Sequence, residues 1–331
     1  MKAVLMTQAG GPEVLQYLDT PAPAPPQGSE LLIRLKAAGV NPIDTKLRKR
    51  GTFYPEQMPA ILGCDGAGIV EATGPQARKF QMGDEVYFCN GGLGGHPGNY
   101  AEWAIVAEAF VSPRPKTLSF EQAAAAPLVL ITAWEALYDR ARLQAGQRVL
   151  IHGGAGGVGH VAIQLAKLQG AEVCTTVGSP DKAELARSFG ADHVILYKQT
   201  DFVQAVLEWT EGEGVDVAFD TVGGATLSQS FAAVRYYGDV VTILEPTPDT
   251  DWKTARTRNL RFGFELMLTP MLKGLVDEQH QQAQILEHCT GLIDTRQLQI
   301  YLDRTFPLAE AAAAHRLLEA GGRIGKMALM I

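Results

Sequence analysis

Cysteine is scarce in this chain: 331 residues hold four, Cys64, Cys89, Cys174 and Cys289, and none stands in a CxxC pair. That excludes a compact four-cysteine zinc lobe and gives no sign of a disulfide framework, so a reducing, cytoplasmic setting fits. Long hydrophobic runs are missing as well. No stretch of about 18 apolar residues occurs that would span a bilayer as a helix. The opening Met1-Lys2-Ala3-Val4-Leu5-Met6 holds too short an apolar run for a signal peptide. Nor is positive charge in excess: 29 Lys and Arg face 36 Asp and Glu, a net of −7. Without a long basic run, a nucleic-acid groove or an anionic membrane surface is not expected. The cluster Lys46, Arg48, Lys49 and Arg50 is the exception, and it reads as a solvated loop or helix face.

What is present is material for a large core. Hydrophobic residues make up 46% and charged residues 20%, and the length predicts two domains. Residues 1–118 read as strands and turns, with short apolar runs such as Leu31-Leu32-Ile33-Arg34-Leu35 and Glu85-Val86-Tyr87-Phe88. The proline-rich stretch from Pro21 to Gly28 is an extended connector. This part predicts a compact, β-barrel-like domain. Ser119 then opens a capped helix, and a second helix is expected over Ile131–Arg142. Over 119–264 strands alternate with helices, which predicts an α/β domain with a doubly wound parallel sheet. Beyond it, a long helix over 271–291 capped at Gly291, a strand at Leu298-Gln299-Ile300, a helix over Leu308–Ala320 and a final strand over Lys326–Ile331 are expected.

The most informative motif is Gly153-Gly154-Ala155-Gly156-Gly157-Val158-Gly159. It follows the apolar strand Arg148–His152 and opens an amphipathic helix, the context of a dinucleotide fingerprint. Glycines let the backbone turn tightly and let a pyrophosphate approach its amides. The helix start adds free N–H groups and partial positive charge. Ribose recognition falls about 20 residues on, at the end of the second strand. A cofactor with a free ribose 2′-hydroxyl would be met there by Asp or Glu. This chain has Gly178-Ser179-Pro180-Asp181-Lys182, with Tyr197 past the third strand. A hydroxyl and an ammonium suit a phosphate dianion, so NADPH is expected over NADH. Asp181 fits a first helical turn.

Further motifs extend over nearly the whole chain: Gly11-Pro12-Glu13-Val14-Leu15, Gly39-Val40-Asn41-Pro42-Ile43-Asp44-Thr45, Leu62-Gly63-Cys64-Asp65-Gly66-Ala67-Gly68, Gly98-Asn99-Tyr100-Ala101-Glu102-Trp103, Thr132-Ala133-Trp134, Phe219-Asp220-Thr221-Val222-Gly223-Gly224, and Gly325-Lys326 near the end. Together with the glycine loop they resemble the medium-chain dehydrogenase/reductases, in the zinc-independent quinone-reductase branch that includes the zeta-crystallins. The resemblance implies a GroES-like catalytic domain made from both chain ends, 1–118 and 265–331, around a Rossmann domain over 119–264. It implies a homodimer. It also implies that Asn41, Asp44 and Thr132 line the nicotinamide pocket and that Ser179, Lys182 and Tyr197 hold a 2′-phosphate, and it carries Thr221, Gly325 and Lys326 into the cofactor site. In zinc-dependent relatives a Cys stands where Asn41-Pro42 falls and a His where Cys64 falls, while Asp65 keeps a carboxylate. No catalytic metal is therefore expected. Leu244-Glu245 departs from the small glycine-containing turn of relatives near the nicotinamide ribose.

Without a metal an alkoxide is poorly stabilised, so the expected acceptor is an electron-poor small molecule, a quinone or an enone. Asn41, Tyr54 or water would stabilise the charge that develops on its oxygen. Asn41 and Asp44 equally fit turn and helix-cap chemistry. The glycine-rich run from Gly91 to Gly98 reads as a mobile lid, and His96 within it as a solvated histidine, with proton donation the sharper alternative. Two other readings stay open: reduction of an enoyl thioester, with the basic cluster at 46–50 as its entrance, and an NADPH-binding protein without turnover.

Overall fold

Along Leu31, Ile33 and Leu35 the chain buries every second side chain, the period of a strand with one face on a core. That strand is the spine of the first of two units in the computed structural model, which describes residues 1–331. One unit comprises Met1–Ile131 and Leu268–Ile331, the other Thr132–Met267.

The first unit runs β1 (Lys2–Met6), β2 (Leu15–Asp19), β3 (Glu30–Val40), α1 (Pro42–Arg50), β4 (Ala60–Ile61), β5 (Asp65–Thr73), β6 (Glu85–Cys89), β7 (Trp103–Ala107), β8 (Val111–Pro113) and α2 (Phe120–Ala124), then enters α3 (Pro127–Trp134). The second unit supplies β9 (Arg148–His152), α4 (Gly157–Leu168), β10 (Glu172–Val177), α5 (Pro180–Ser188), β11 (His193–Leu196), α6 (Phe202–Trp209), β12 (Val215–Asp220), α7 (Ala225–Ala233), β13 (Val234–Thr242), α8 (Trp252–Thr257) and β14 (Arg261–Phe264). The chain returns to the first unit through α9 (Thr269–Lys273), α10 (Val276–Asp294), β15 (Leu302–Pro307), α11 (Ala311–Glu319) and β16 (Lys326–Met330).

In the first unit the strands β15-β16-β3-β5-β6-β8 form one sheet, with β7 also on β3. The spine strand is long enough to share an edge. Its first half pairs with β7 from Glu30↔Ala107 to Arg34↔Trp103, and its second half with β16 from Ala37↔Met330 to Val40↔Met327. That register brings Lys326, the first residue of β16, next to Asn41. Leu31, Ile33, Val70, Val86, Phe88 and Val106 fill the core beneath.

In the second unit six strands run parallel in the order β11-β10-β9-β12-β13-β14. The chain winds outward from β9 to one side and then from β12 to the other. The direction of winding therefore reverses between β9 and β12, where ligands of open α/β sheets sit at the carboxyl ends of the strands. Val149, Leu150 and Ile151 are all fully buried, as a central parallel strand covered on both faces requires.

Several sequence expectations change. Helix α2 packs on β3 and β5 and belongs to the first unit, which continues to Ile131 instead of ending near residue 118. The second helix starts at Pro127 and loosens into a π-helical stretch over Glu135–Arg140. The long helix is broken at Gly274, which is left-handed at φ 64°, and then passes through Gly291 to Asp294. Leu298 and Ile300 are buried but lie outside any strand; the strand begins at Leu302. Burial alternation reads the same whether or not a ladder partner is there. Arg48, expected on a solvated face, is fully buried.

Candidate functional site

In the second unit the glycine loop links β9 to α4 as the motif predicts. Gly153 takes φ +70°, which glycine adopts without strain. A Cβ on Gly154 would lie 2.1 Å from Thr175 Oγ1, and one on Gly159 would lie 2.2 Å from the Gly153 carbonyl. Both positions are closed to any side chain, which lets α4 approach β9. Gly156 is the N-cap of α4 and has no side-chain cap. Gly156, Gly157 and Val158 are half-exposed, while Ala155 is buried. The amides of the first turn thus face outward without a capping partner, an anion cradle.

Hydrogen bonds fix the neighbouring loops. His152 contacts Thr176 Oγ1 at 3.0 Å and Ser230 Oγ at 2.8 Å, and burial pulls its pKa down to about 4, so the ring is neutral. Thr221 Oγ1 donates to the His152 carbonyl at 2.7 Å, which brings Thr221 beside Gly153. Asp220 accepts from the amides of Val222 and Gly223 at 2.9 Å each, and from Thr242 Oγ1 at 2.8 Å. The atypical Leu244 packs over Gly223, and Glu245 is exposed.

At the ends of β10 and β11, Tyr197 lies beside Gly178, the residue before Ser179. The Tyr197 hydroxyl lies 3.0 Å from where a Gly178 Cβ would be, and its side chain is 53% exposed. Ser179 is the N-cap of α5 yet makes no capping bond, so its hydroxyl is unspent. Lys182 is half-exposed on the first turn of that helix. Thr132 is buried on α3.

In the first unit the expected residues join a buried polar cluster that sequence reasoning reached only in part. Asn41 caps α1: its backbone N–H donates to Asp44 Oδ2 at 2.8 Å, and its backbone carbonyl accepts from the Asp44 amide at 3.0 Å. The Asn41 amide is committed at both ends: Nδ2 donates to Asp65 Oδ2 at 2.8 Å, and Oδ1 accepts from Lys326 Nζ. Lys326 also donates to the Val40 carbonyl at 3.1 Å. Asp65 Oδ1 accepts from the Leu128 amide at 3.0 Å. Tyr100 donates to Asp44 Oδ2 at 3.0 Å and meets His315 Nε2 at 3.2 Å. Arg48 donates to the Gly10 carbonyl and pairs with Glu319.

Burial dominates the electrostatics. It lifts the Asp44 carboxyl to about 7, against hydrogen bonds from Asn41 and Tyr100 that act to lower it. It raises Asp65 and lowers Lys326, while the attraction between the two opposes both shifts. Burial, with Arg48 nearby, lowers His315 to about 3. The Cys64 thiol is pushed well up, first by burial and then by Asp44 and Asp65.

This chemistry does not suit a zinc ion. No group of three or more His, Cys, Asp or Glu side chains is gathered to hold a metal. Both Asp65 oxygens already accept hydrogen bonds, the Cys64 thiol resists ionisation, and an ammonium sits beside them.

Other expected residues lie elsewhere. Tyr54 is half-buried, with its hydroxyl 3.4 Å from the Leu272 carbonyl. The glycine-rich run is closely packed at its start. Gly91 to Gly94 are buried, and a Cβ on Gly92 or Gly94 would strike Gly63 or Thr52 within 2.7 Å. Close packing and a left-handed backbone, at φ 81° and 103°, both call for glycine at these two positions. His96 is exposed, with Nδ1 3.1 Å from the Pro97 carbonyl. Gly325 turns under Tyr301, where a Cβ would lie 2.3 Å from the Tyr301 carbonyl.

Comparison with known proteins agrees with this architecture. Residues 27–116 match the alcohol dehydrogenase GroES-like domain, and residues 189–329 match the zinc-binding dehydrogenase family. A quinone oxidoreductase of Pseudomonas aeruginosa is 35% identical over 99% of both chains. The chain belongs to the medium-chain dehydrogenase/reductase superfamily, in its quinone-oxidoreductase branch. A solved alcohol dehydrogenase superfamily protein of Novosphingobium aromaticivorans superposes with a TM-score of 0.90 at 35% identity, over 100% of this chain and 99% of that one. The Escherichia coli quinone oxidoreductase solved with NADPH gives 0.87 at 29% identity, over 100% of both. The chain is thus an oxidoreductase of the α/β class, with a Rossmann parallel sheet and a GroES-like domain. No helix is long and apolar enough to cross a membrane.

The raised Asp44 pKa sets a pH dependence. A carboxyl whose folded pKa lies above its unfolded value of 3.8 adds stability at low pH and loses it as pH rises through about 7. Asp44→Asn keeps an acceptor for Asn41 and Tyr100 and removes the titration. Urea unfolding at about pH 5 and about pH 8 should show wild type losing ~3 kcal/mol more than the variant across that interval. Parallel losses in the two proteins would contradict the assignment.

Proposed function

We propose that this oxidoreductase transfers hydride from NADPH to a quinone or a similarly electron-poor acceptor, without a metal. The observation that carries the metal-free part is the Asn41–Asp65–Lys326 cluster, in which an amide falls where zinc-dependent relatives carry a cysteine and an ammonium is hydrogen-bonded to it. A reaction suited to such a site is one whose product charge delocalises by itself. Quinone reduction meets that requirement, since the electrons enter a conjugated system and rest on oxygen. The naming of relatives as quinone oxidoreductases supports the same acceptor class.

Bound NADPH would supply the hydride, and the chain's own residues would hold and orient it. The glycine loop and the first turn of α4 take the pyrophosphate through backbone amides. Ser179, Lys182 and Tyr197 take the 2′-phosphate through two hydroxyls and an ammonium, with no carboxylate at the strand end to repel it. Thr221 orders the loop beside Gly153, and Thr132 is assigned to the nicotinamide. In the first unit, Asn41 and Asp44 shape the start of α1. Tyr54, whose own hydrogen bond is long, is the donor left for an acceptor oxygen. Gly325 and Lys326 act by closing that unit on Tyr301 and Asn41, and any contact they make with the cofactor is through the backbone.

Two measurements test this. Lys182→Ala should weaken NADPH binding about tenfold and leave NADH nearly unchanged, because one charged phosphate contact of ~1.4 kcal/mol is lost. Equal wild-type affinities for the two cofactors would refute the 2′-phosphate site. A steady-state screen of NADPH oxidation should give the largest kcat/KM with o-quinones. A larger value with an enoyl-CoA would transfer the assignment to carbon–carbon double bonds, and tight NADPH binding without turnover would make the chain a binding protein.

A further inference from the structure

Lys326 is 4% exposed, and its ammonium is spent inside the first unit. It donates to the Val40 carbonyl and to Asn41 Oδ1, and through Asn41 it is one hydrogen bond from Asp65. The groups facing it are Asp65, Asp44 and the thiols of Cys89 and Cys64; of these the two carboxylates, when ionised, favour its charged form. Asp65 accepts from Asn41, from the Leu128 amide and from the Cys89 thiol, a donor set that suits an ionised carboxylate. A carboxylate so buried needs a cation, and Lys326 is the cation facing it.

We propose that the Lys326 ammonium is the resident cation of this site: it neutralises Asp65, clamps the Asn41 amide between them, and so fixes the turn from β3 into α1 on which the active face of this unit is built. Lys326 is a positioning residue, acting through Asn41. The inference deepens the metal-free reading above and rests on it. In that reading the chain needs no ion because it carries its own, delivered by the pairing of β16 with β3. The covalent strand fixes the ammonium in place, and no dissociation equilibrium empties the site. The same geometry assigns the capping Asn41 a reason to be an amide. It must accept from the ammonium and donate to the carboxylate at once, which an ionised Asp cap, having no donor, cannot do.

The test is a charge-deletion cycle with the full chain: wild type, Lys326→Met, Asp65→Asn and the double variant. Lys326→Met leaves a buried carboxylate unpaired, so its urea midpoint should fall. Adding Asp65→Asn removes the orphaned charge, Asn41 can turn its amide to suit, and about half or more of the loss should return. A double variant no more stable than Lys326→Met refutes the pairing. A role in stability alone is separated by kinetics at a temperature where every variant is folded by circular dichroism. The double variant should keep a low kcat for quinone reduction, down about tenfold. Its Kd for NADPH, governed by the other unit, should stay within about twofold. Wild-type kcat in a folded double variant refutes the positioning role. Calorimetric titration with Zn2+ separates this inference from its premise. Stoichiometric uptake by wild type would overturn the metal-free reading itself, whereas no uptake with an unaltered cycle would overturn only the role of Lys326.

Discussion

An ammonium buried in a protein interior is tolerated only where acceptors and an opposite charge meet it. In the first unit that condition governs how several distant pieces are joined. Lys326 reaches Asn41 only because β16 pairs with the second half of β3, leaving the first half to β7. Asn41 then begins α1, and Asp44, one turn on, accepts from the Asn41 backbone N–H and receives Tyr100. Tyr100 passes the connection to His315 on α11, and Arg48 of α1 reaches Glu319 on the same helix. The two chain ends are therefore tied by polar bonds as well as by the sheet. Removing any one partner would leave a buried polar group unpaired, which costs more than the bond itself contributes.

The second unit works by a different constraint, the close approach of backbone to backbone. Gly154 and Gly159 are required because a Cβ would strike Thr175 or the Gly153 carbonyl. Omitting those side chains lets α4 begin directly against β9, with its first amides uncapped. The polar residues around the loop, His152, Thr176 and Thr221, bond to one another and to the backbone and hold the cradle open. A positive charge enters at the rim, at Lys182. In this account one unit binds an anion with aligned amides, and the other holds its own cation.

Legibility in the sequence followed the range of each interaction. The glycine loop was readable because strand, turn and helix are contiguous, and steric need leaves a mark on every position. The Asn41–Asp44 cap was readable because its partners are three residues apart. The bond between Asn41 and Lys326 spans 285 positions and has no local sign. Arg48 looked solvated in a basic run, since Glu319 and the Gly10 carbonyl that receive it are remote. The run from Gly91 to Gly98 looked mobile because glycine serves freedom and tight packing alike. Leu298 and Ile300 looked like a strand because burial alternates there without a ladder. That Asn41 and Cys64 depart from the ligand pattern of zinc-dependent relatives was visible, but not the Lys326 contact that meets Asn41.

The central claim is that this oxidoreductase works through a site that carries its own cation and needs no metal. Its most direct test is metal content measured on purified, active protein, with NADPH-dependent quinone reduction followed before and after exhaustive chelation. Zinc should lie far below one equivalent, and the rate should be unchanged by the chelator. Zinc near one equivalent per chain, with activity lost on chelation and restored by zinc, would contradict it.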